Sequence, residues 1–562
     1  MIKLSKVIKS NHYKVAVAIL CIGIGSGIFS YLLHKIVHII SKLIGTSEAF
    51  EFSTTLLSLG FALVSFFLSK MVFKDTHGSG IPQVKLSLVA YKGKMPRRMP
   101  FGKFITTCLT LCSGLSFGKE GPMVTISAAW GHLVAHTLRF NHQITKVLVT
   151  SGGTAGLAAA FNTPIAAVVF TIEEILGELN TKYLGTIMMT SVVASVTSFK
   201  LLGNKSTFVP VNYHFDSDWH LFLYLGLGCT MSLIGMLLVK GILIFKSLKK
   251  KYFHSNDYLF VVFAVVLAAG FSHYSPAILG DGIATINQLL KGEGSNLISS
   301  MFLFFLIKML LIATSYSTGL SGGLFMPVLF LGAVSGSLIG LVLKELGIAP
   351  IEIGVFALLG MTSLLVAVIR APFTAFVMLF EMTRSYALIL PLMISSAAAY
   401  WISTLINNES VYESVAEYEG VHLPTHSDKE CLNEMIVEEC MIRSVVCLRA
   451  DATVNESIPI IEKNNYSGFP VIRNNNRLIG IVNRGELKDK SESDPQCKLR
   501  NAAKYSVISI YPDQSLLVAL DKMKRFEIGR LPVVSRLNDK ELLGLITPED
   551  IVNYLGLSKQ EI

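Results

Sequence analysis

Charged residues are scarce in this chain. Asp, Glu, Lys and Arg make up 16% of its 562 residues, whereas soluble domains carry about 25%. Hydrophobic residues make up 51%, and the mean hydropathy of +0.55 is typical of an integral membrane protein. This composition indicates that most of the chain is not a soluble domain.

Recognisable metal-binding and disulfide patterns are also missing. The eight cysteines include no Cys-x-x-Cys pair, so we expect all of them to be free and reduced. The pairs His34/His38 and His132/His136 have helical spacing but lack the glutamate of a His-Glu-x-x-His motif. A membrane metalloprotease is therefore disfavoured. A magnesium transporter would need intramembrane carboxylate clusters, which are absent. We expect no bound metal and no enzymatic activity.

The net charge of +10 comes from cations that lie mostly at the ends of apolar segments. Clusters precede the first apolar run and occupy residues 92–98 and 246–251. By the positive-inside rule these regions are cytoplasmic, which predicts a cytoplasmic N-terminus over residues 1–14. The same placement indicates that the cations lie at a membrane surface and do not bind nucleic acid. No convincing cleavage site follows the first apolar run, so we predict an uncleaved first helix.

The apolar segments between residues 15 and 407 are often short or broken. Val15–Ser41 is long enough to span a membrane, which takes about 20 residues. Others, such as Phe104–Ser113 and Ile165–Ile172, are short and are bounded by Gly or Pro. Broken helices are tolerated at membrane depth only where they line a cavity or are buried in protein. The pattern predicts an all-α polytopic membrane protein of broken, tilted helices.

The membrane part contains an internal repeat. Three features recur in the same order about 205 positions later: Gly78–Ile81 as Gly280–Ile283, Pro122 as Pro327, and the segment around Pro164 as that around Pro372. We predict two homologous halves at residues 15–203 and 219–407, joined by a linker at 204–218. Matching broken segments in two halves are typical of a transporter binding site.

Three glycine-rich turns stand at the edges of apolar segments that can be helical: Gly78–Pro82, Gly118–Pro122 and Gly322–Pro327. A helix N-terminus presents free N–H groups and about half a positive charge. Such groups can replace water around an anion, whose desolvation costs tens of kcal/mol by the Born estimate. Three such turns within a membrane predict an anion transporter, with Ser79 adding a hydroxyl donor.

Carboxylates within apolar segments are the sharpest candidates for function. Glu120 lies in the second turn, and an intramembrane carboxylate is a functional hypothesis by default. When ionised, it can compete with chloride for the same N–H groups; when protonated, it cannot. We therefore predict that Glu120 couples anion occupancy to protons. Glu173 and Glu174 end an apolar run, which fits either a helix end at the membrane surface or a proton path toward Glu120.

After Asn407 the pattern changes to short β-branched runs alternating with amphipathic helices. Two such units repeat at a distance of about 62 residues and predict an α/β tandem of β-α-β-β-α units. We assign a linker to residues 408–430, the first unit to 431–490 and the second to 500–562, with Leu487–Cys497 as a polar connector.

Taken together, these motifs resemble the CLC family of chloride channels and proton-coupled chloride transporters. The resemblance covers nearly the whole chain, with the three turns in order and a tandem that resembles paired CBS domains. It implies that Glu120 is the gating glutamate and that Glu174 is the internal proton glutamate. It also implies an anion site formed by Ser79, Gly80, Ile81, Phe325, Met326 and the hydroxyl of Tyr412.

The resemblance implies proton-coupled chloride transport, that is Cl⁻/H⁺ antiport, by a homodimer with one pore per subunit. It also suggests the inner membrane of a bacterium, with the N-terminus and the CBS domains in the cytoplasm. Passive channels of the family usually carry another residue at the position of Glu174, and nitrate-preferring relatives tend to carry Pro at that of Ser79. The alternative is a passive, nucleotide-gated chloride channel on the same fold.

The resemblance of the tandem to paired CBS domains also concerns one cofactor, an adenine nucleotide. Gly544, Thr547 and Asp550 fit the family's Gly-x-x-Thr-x-x-Asp pattern, in which the hydroxyl and the carboxylate hold phosphate and ribose. The first unit lacks both residues within Gly480–Leu487. The resemblance therefore implies at most one adenine-nucleotide site and no other required cofactor. A purely structural tandem is an alternative of equal weight.

Overall fold

The structure is a computed structural model that falls into two compact units, Met1–Leu423 and Pro424–Ile562, which are described separately. The predicted linkers at 204–218 and 408–430 lie partly outside the described residues. The described residues are 2–44, 51–89, 91–177, 181–203, 207–211, 219–253, 256–292, 298–348, 351–420, 432–464, 466, 468–473, 476–503, 507–526 and 528–558.

The first unit is helical throughout its described part. Its first half contains α1 (Ile2–Ile44), α2 (Phe52–Phe67), α3 (Ile81–Val89), α4 (Met99–Cys112), α5 (Glu120–Thr137), α6 (His142–Phe161), α7 (Pro164–Phe170) and α8 (Thr181–Leu202). The second half contains α9 (Trp219–Tyr252), α10 (Asp257–Ser272), α11 (Ile283–Leu290), α12 (Ile298–Ser317), α13 (Phe325–Glu345), α14 (Ile353–Ile369), α15 (Pro372–Thr383), α16 (Ile389–Ile406) and then α17 (Val411–Tyr418). Short π-helical turns occupy Leu68–Val72 and Thr171–Leu176, and 3₁₀ turns occupy Pro276–Ile278 and Tyr386–Leu388.

Eight helices of the described part are long and apolar enough to cross a membrane. The most apolar windows of α6 and α13 are 78% buried, whereas that of α1 is 33% buried. A helix that is apolar all round and buried belongs to the interior of the bundle, and one that exposes apolar side chains faces lipid or a partner. The fold class predicted for this part, a multi-pass bundle with short helices inside it, is confirmed.

The two halves correspond helix by helix. Helices α1 to α8 have counterparts in α9 to α16, and Pro starts both α7 and α15. The residue that follows α6, Asn162, and the residue that follows α14, Arg370, both have a left-handed backbone conformation, with φ of 58° and 68°. The repeat seen in the sequence is therefore a repeat of structure.

Two glutamates bind each half of the unit to the other. Glu173 accepts from the backbone N–H groups of Phe373 (3.1 Å) and Thr374 (2.8 Å) at the start of α15. Glu381 accepts from those of Ile165 (3.1 Å) and Ala166 (2.7 Å) at the start of α7. The first N–H groups of a helix have no partner within it, so each half satisfies a helix start of the other.

The second unit is the predicted α/β tandem. Its elements are α18 (Val437–Cys440), β1 (Leu448–Arg449), α19 (Val454–Lys463), β2 (Gly468–Arg473), β3 (Arg477–Asn483), α20 (Arg484–Ser493), α21 (Leu499–Ala502), α22 (Leu516–Phe526), β4 (Leu531–Val534), β5 (Leu542–Ile546) and α23 (Pro548–Ser558). Strand β2 pairs parallel to β1 and antiparallel to β3, and β4 pairs antiparallel to β5. The tandem confirms the fold class predicted for this end of the chain.

Some details of the tandem differ from the prediction. Helix α20 occupies the first part of the predicted connector, because Leu487 is buried in the core of the first unit. The second unit has no counterpart of β1 in its described residues, because its first β-branched run, Val507–Ile510, makes only one bridge, between Ile510 and Val533. The described cysteines are free, as expected, whereas Cys431 lies outside the described residues. Burial raises the pKa of the Cys440 thiol to about 11.

Candidate functional site

The three glycine-rich turns meet in space. Gly118 and Gly323 exchange two backbone hydrogen bonds, of 2.8 and 2.7 Å. The Gly78 amide donates to the Gly319 carbonyl (3.1 Å), and the Gly322 amide donates to the Gly78 carbonyl (3.3 Å). The N-termini of α3, α5 and α13 therefore converge where the two halves join.

Glycine is required at two places in this junction because the chains approach so closely. A Cβ atom on Gly118 would collide with the Glu120 carboxylate and would lie 3.2 Å from the Met326 amide nitrogen. A Cβ atom on Gly121 would collide with the Ser79 hydroxyl. Ser79, Glu120 and Met326, which were selected from three separate turns, therefore lie at one site.

Three polar side chains at this site are buried without partners. Ser79, Glu120 and Tyr412 are 3%, 1% and 0% exposed. The two hydroxyl groups and both Glu120 carboxylate oxygens make no hydrogen bond within the described part of the protein. Tyr412, the second residue of α17, lies beside Ser79. An unpartnered buried polar group costs about 1–3 kcal/mol, and the presence of three such side chains at one junction of helix starts makes this cluster the candidate ligand site.

The backbone candidates lie at the helix starts. Gly80 accepts the first helical hydrogen bond of α3, from Val84 (3.1 Å), and Ile81 is the first residue of that helix. Phe325 and Met326 begin α13 and are buried. The Phe325 ring packs edge-on against Phe170, with ring centroids 5.5 Å apart, which fixes the start of α13. The free amides of these helix starts suit an anion.

Two buried lysines that the sequence reasoning missed support the loops of the repeat. The Lys103 ammonium donates to the carbonyls of Thr76 (2.8 Å) and Gly78 (2.6 Å), just before Ser79. The Lys308 ammonium donates to those of Ile278 (2.6 Å) and Gly280 (3.1 Å), in the corresponding loop. Both residues are 0% exposed. A lone lysine in an apolar segment is itself a functional signal, and it could have revealed both residues.

The two candidate proton glutamates have different surroundings. Glu173 binds the start of α15, as described above. Glu174 is 7% exposed and forms an ion pair with Lys85 of α3 (2.6 Å). Lys85 is also 3.5 Å from Glu413, the neighbour of Tyr412 on α17. The π-helical turn at Thr171–Leu176 directs the two adjacent carboxylates to different partners.

The candidate nucleotide residues pair with each other at the start of α23. The Asp550 carboxylate accepts from the Thr547 amide (2.8 Å) and the Thr547 hydroxyl (2.7 Å). The Asp550 amide donates to the Thr547 hydroxyl oxygen (3.3 Å). The Thr547 amide is therefore occupied by Asp550 and is not free for a phosphate group. This arrangement is a complete helix cap.

The described residues contain no group of three or more His, Cys, Asp or Glu side chains that could hold a metal ion. The imidazole rings of His34 and His38 stack with centroids 6.3 Å apart. These residues suit packing along α1 better than metal binding.

Comparison with known proteins gives the family. The family model described as voltage gated chloride channel matches residues 60–404, and the CBS domain model matches residues 437–492 and 500–557. The chain is 29% identical over 387 residues to the H(+)/Cl(-) exchange transporter ClcA of Vibrio campbellii, which covers 66% of this chain and 81% of that protein. It is 28% identical over 429 residues to ClcA of Vibrio parahaemolyticus, which covers 72% of this chain and 90% of the relative.

Solved structures share the fold. A eukaryotic CLC transporter aligns with a TM-score of 0.71 at 22% identity, covering 96% of this chain and 98% of the other. A slow cyanobacterial Cl⁻/H⁺ antiporter aligns with a TM-score of 0.66 at 23% identity, covering 72% and 98%. The turns, the fold and the family model agree, so the chain belongs to the voltage gated chloride channel family, here with two CBS domains after the membrane unit.

Proposed function

We propose that this protein exchanges chloride for protons across a membrane, with Glu120 as the gate. The observation that carries the proposal is the Glu120 carboxylate, which lies at the start of α5, 1% exposed and without a hydrogen-bond partner in the described part of the chain. It occupies the junction of three helix N-termini, where any anion of similar size would be stabilised.

Competition at this junction supplies the coupling. The ionised Glu120 carboxylate and a chloride ion require the same amides and hydroxyls, so occupancy by one disfavours the other. Protonation removes the charge that holds the carboxylate there, and the hydroxyls of Ser79 and Tyr412 can then donate to chloride. Release of the proton returns the carboxylate to the site and expels the ion. Glu174 is the proposed internal proton acceptor.

The decisive experiment is the reversal potential of purified protein in liposomes under a chloride gradient and a pH gradient. An exchanger gives a potential that depends on both gradients, because each chloride is coupled to protons. A potential that follows chloride alone would identify the alternative, a passive and nucleotide-gated channel. Protein-free liposomes give the background leak.

Two adjacent variants sharpen this experiment. Glu174→Gln should allow chloride movement and stop coupled proton transport, because the acceptor can no longer ionise. Glu173→Gln makes the same change of charge one residue away, on a side chain that binds the start of α15, and should retain coupling. Equal loss in both variants would contradict a specific role for Glu174.

We further propose a homodimer in the inner membrane of a bacterium, with one pathway in each subunit and with the N-terminus and CBS domains in the cytoplasm. The support is the distribution of cations in the loop that precedes α4 and in the last turns of α9, together with the bacterial relatives. Labelling of single cysteines from each side of right-side-out vesicles tests the orientation. Crosslinking in membranes tests the dimer.

A further inference from the structure

A buried triad of charges connects Glu174 to two of the helices at the proposed anion site, α3 and α17. Lys85 lies between two carboxylates, at 2.6 Å from Glu174 and 3.5 Å from Glu413. The three side chains are 10%, 7% and 16% exposed, in that order. Helix α3, which carries Lys85, begins at the Ser79 turn, and α17, which carries Glu413, also carries Tyr412.

The triad has one positive and two negative groups, so its charge depends on the protonation of Glu174. With Glu174 ionised, Lys85 has a close partner. With Glu174 protonated, only Glu413 is left to compensate the charge of Lys85. Without Glu413, Lys85 would be an uncompensated buried cation, which is costly.

Glu413 is held in a fixed position beside Lys85. One of its carboxylate oxygens accepts from the Ser410 amide at 2.9 Å and so closes the capping box of α17. The cap also fixes the other oxygen, the one that faces Lys85.

We propose that Lys85 exchanges its ion-pair partner between Glu174 and Glu413 as Glu174 releases and takes up a proton. The proton arrives at or leaves a carboxylate oxygen of Glu174, and the ammonium group moves toward whichever carboxylate is charged. Glu413 is thus a positioning residue for proton uptake. A role of Glu413 in transport depends on the proposed antiport. The exchange of partners by Lys85 does not depend on it.

The exchange also gives the proton site a path to the anion site. Movement of Lys85 toward Glu413 would pull together α3 and α17, which present Ser79 and Tyr412 to the ion. The ionisable groups that act on Glu174 in the described part of the chain are Lys85 of α3, Glu413 and Tyr412 of α17, and Glu173 of its own turn. Lys85 supplies the positive charge among them.

The test is a pH titration of the Glu174 carboxyl by infrared difference spectroscopy on the purified full-length protein. Loss of the band in Glu174→Gln assigns it. In Glu413→Gln the amide oxygen can keep the cap, and Lys85 is left with Glu174 alone. The uncompensated cation stabilises ionised Glu174, so the midpoint should move to lower pH by about one unit or more.

Lys85→Met should move the midpoint to higher pH, because Glu413 then repels a second negative charge. The double variant Lys85→Met/Glu413→Gln removes one charge of each sign beside Glu174, so its midpoint should return toward the wild-type value and lie between those of the single variants, an outcome that general damage to the fold would not produce. Glu417→Gln, at an exposed position of the same helix, is the matched control and should have no effect.

An unchanged midpoint in Glu413→Gln, or a failure of the double variant to recover, would overturn the proposal. The spectrum reports the carboxyl group whether or not protons are transported. A protein that moves chloride alone but shows these shifts would therefore refute the antiport and leave the exchange of partners standing.

Discussion

At the scale of single residues, the proposed anion site is distinguished by buried side chains that have no hydrogen-bond partner. Ser79, Glu120 and Tyr412 are buried and have no partner in the described part of the chain. Other buried groups of the described unit also lack a hydrogen-bond partner, among them the hydroxyls of Ser127 and Thr163. The proposed anion site differs from them because a carboxylate and two hydroxyls lie together where three helices begin.

Replacement of Glu120 by Gln tests the gate. The amide has the shape of a protonated carboxyl and cannot compete as an anion, so chloride flux should persist. Chloride-driven proton uptake should fall to that of protein-free liposomes. The measurement is simultaneous chloride efflux and pH recording. Undiminished proton uptake would show that Glu120 is not the gate, and loss of both the chloride and the proton flux would indicate misfolding.

Replacement of Ser79 by Pro tests the selectivity of the site. The change removes a hydroxyl donor that lies beside Tyr412, and the preference for chloride over nitrate should weaken. Ser79→Ala removes the hydroxyl without constraining the backbone and separates the two effects. Competition between the two anions in a flux assay is the measurement. An unchanged order of selectivity in both variants would reduce Ser79 to a turn residue.

At the scale of helices, the short elements are stabilised by the opposite half. Helix α7 has seven residues, too few to be stable alone. Glu381 supplies acceptors for its first N–H groups, and Glu173 does the same for α15. Each half thus caps a short helix of the other half, and this shared role accounts for the recurrence of the two glutamates at the same place in the repeat.

Glu381→Ala should therefore lower stability by about 1 kcal/mol, the usual effect of losing a helix cap. Thermal unfolding of the purified protein in detergent is the measurement, and Glu173→Ala should have a similar effect. Glu345→Ala removes an exposed carboxylate at the end of α13 and serves as the control. Equal unfolding temperatures for all three variants would show that the caps contribute nothing.

The sequence predicted the helices and turns better than the partners of charged side chains. Pro and Gly mark where α5, α7 and α13 begin, because those residues act on the local backbone. The partner of Glu174 could not be predicted, because Lys85 is far from it in the chain and only tertiary packing brings the two together. Lys103 and Lys308 could have been found, since both lie within apolar segments and are about 205 positions apart.

At the scale of the whole molecule, the second CBS unit is the candidate for regulation. Thr547 and Asp550 cap α23 through each other, so a nucleotide would have to share their hydroxyl and carboxylate. We expect full-length protein to bind an adenine nucleotide weakly and Asp550→Ala to abolish binding. Calorimetry with ATP, ADP and AMP is the measurement.

A matched control exists in the first CBS unit. Thr453 and Glu456 form an equivalent cap at the start of α19, outside the Gly-x-x-Thr-x-x-Asp motif. Glu456→Ala breaks that cap and should leave nucleotide binding intact. Absence of heat with all three nucleotides would make the tandem a purely structural module.

The pair of hydrogen bonds between Gly118 and Gly323 has a consequence for the synthesis of the protein. The two residues are about 205 positions apart, which a ribosome covers in roughly 10 to 40 s. During that interval the emerging chain holds Ser79 and Glu120 in the bilayer with no opposing turn to complete their surroundings. A polypeptide released before residue 323 would carry Ser79 and the proposed gate Glu120 but only part of the proposed anion site, so we expect it not to transport anions.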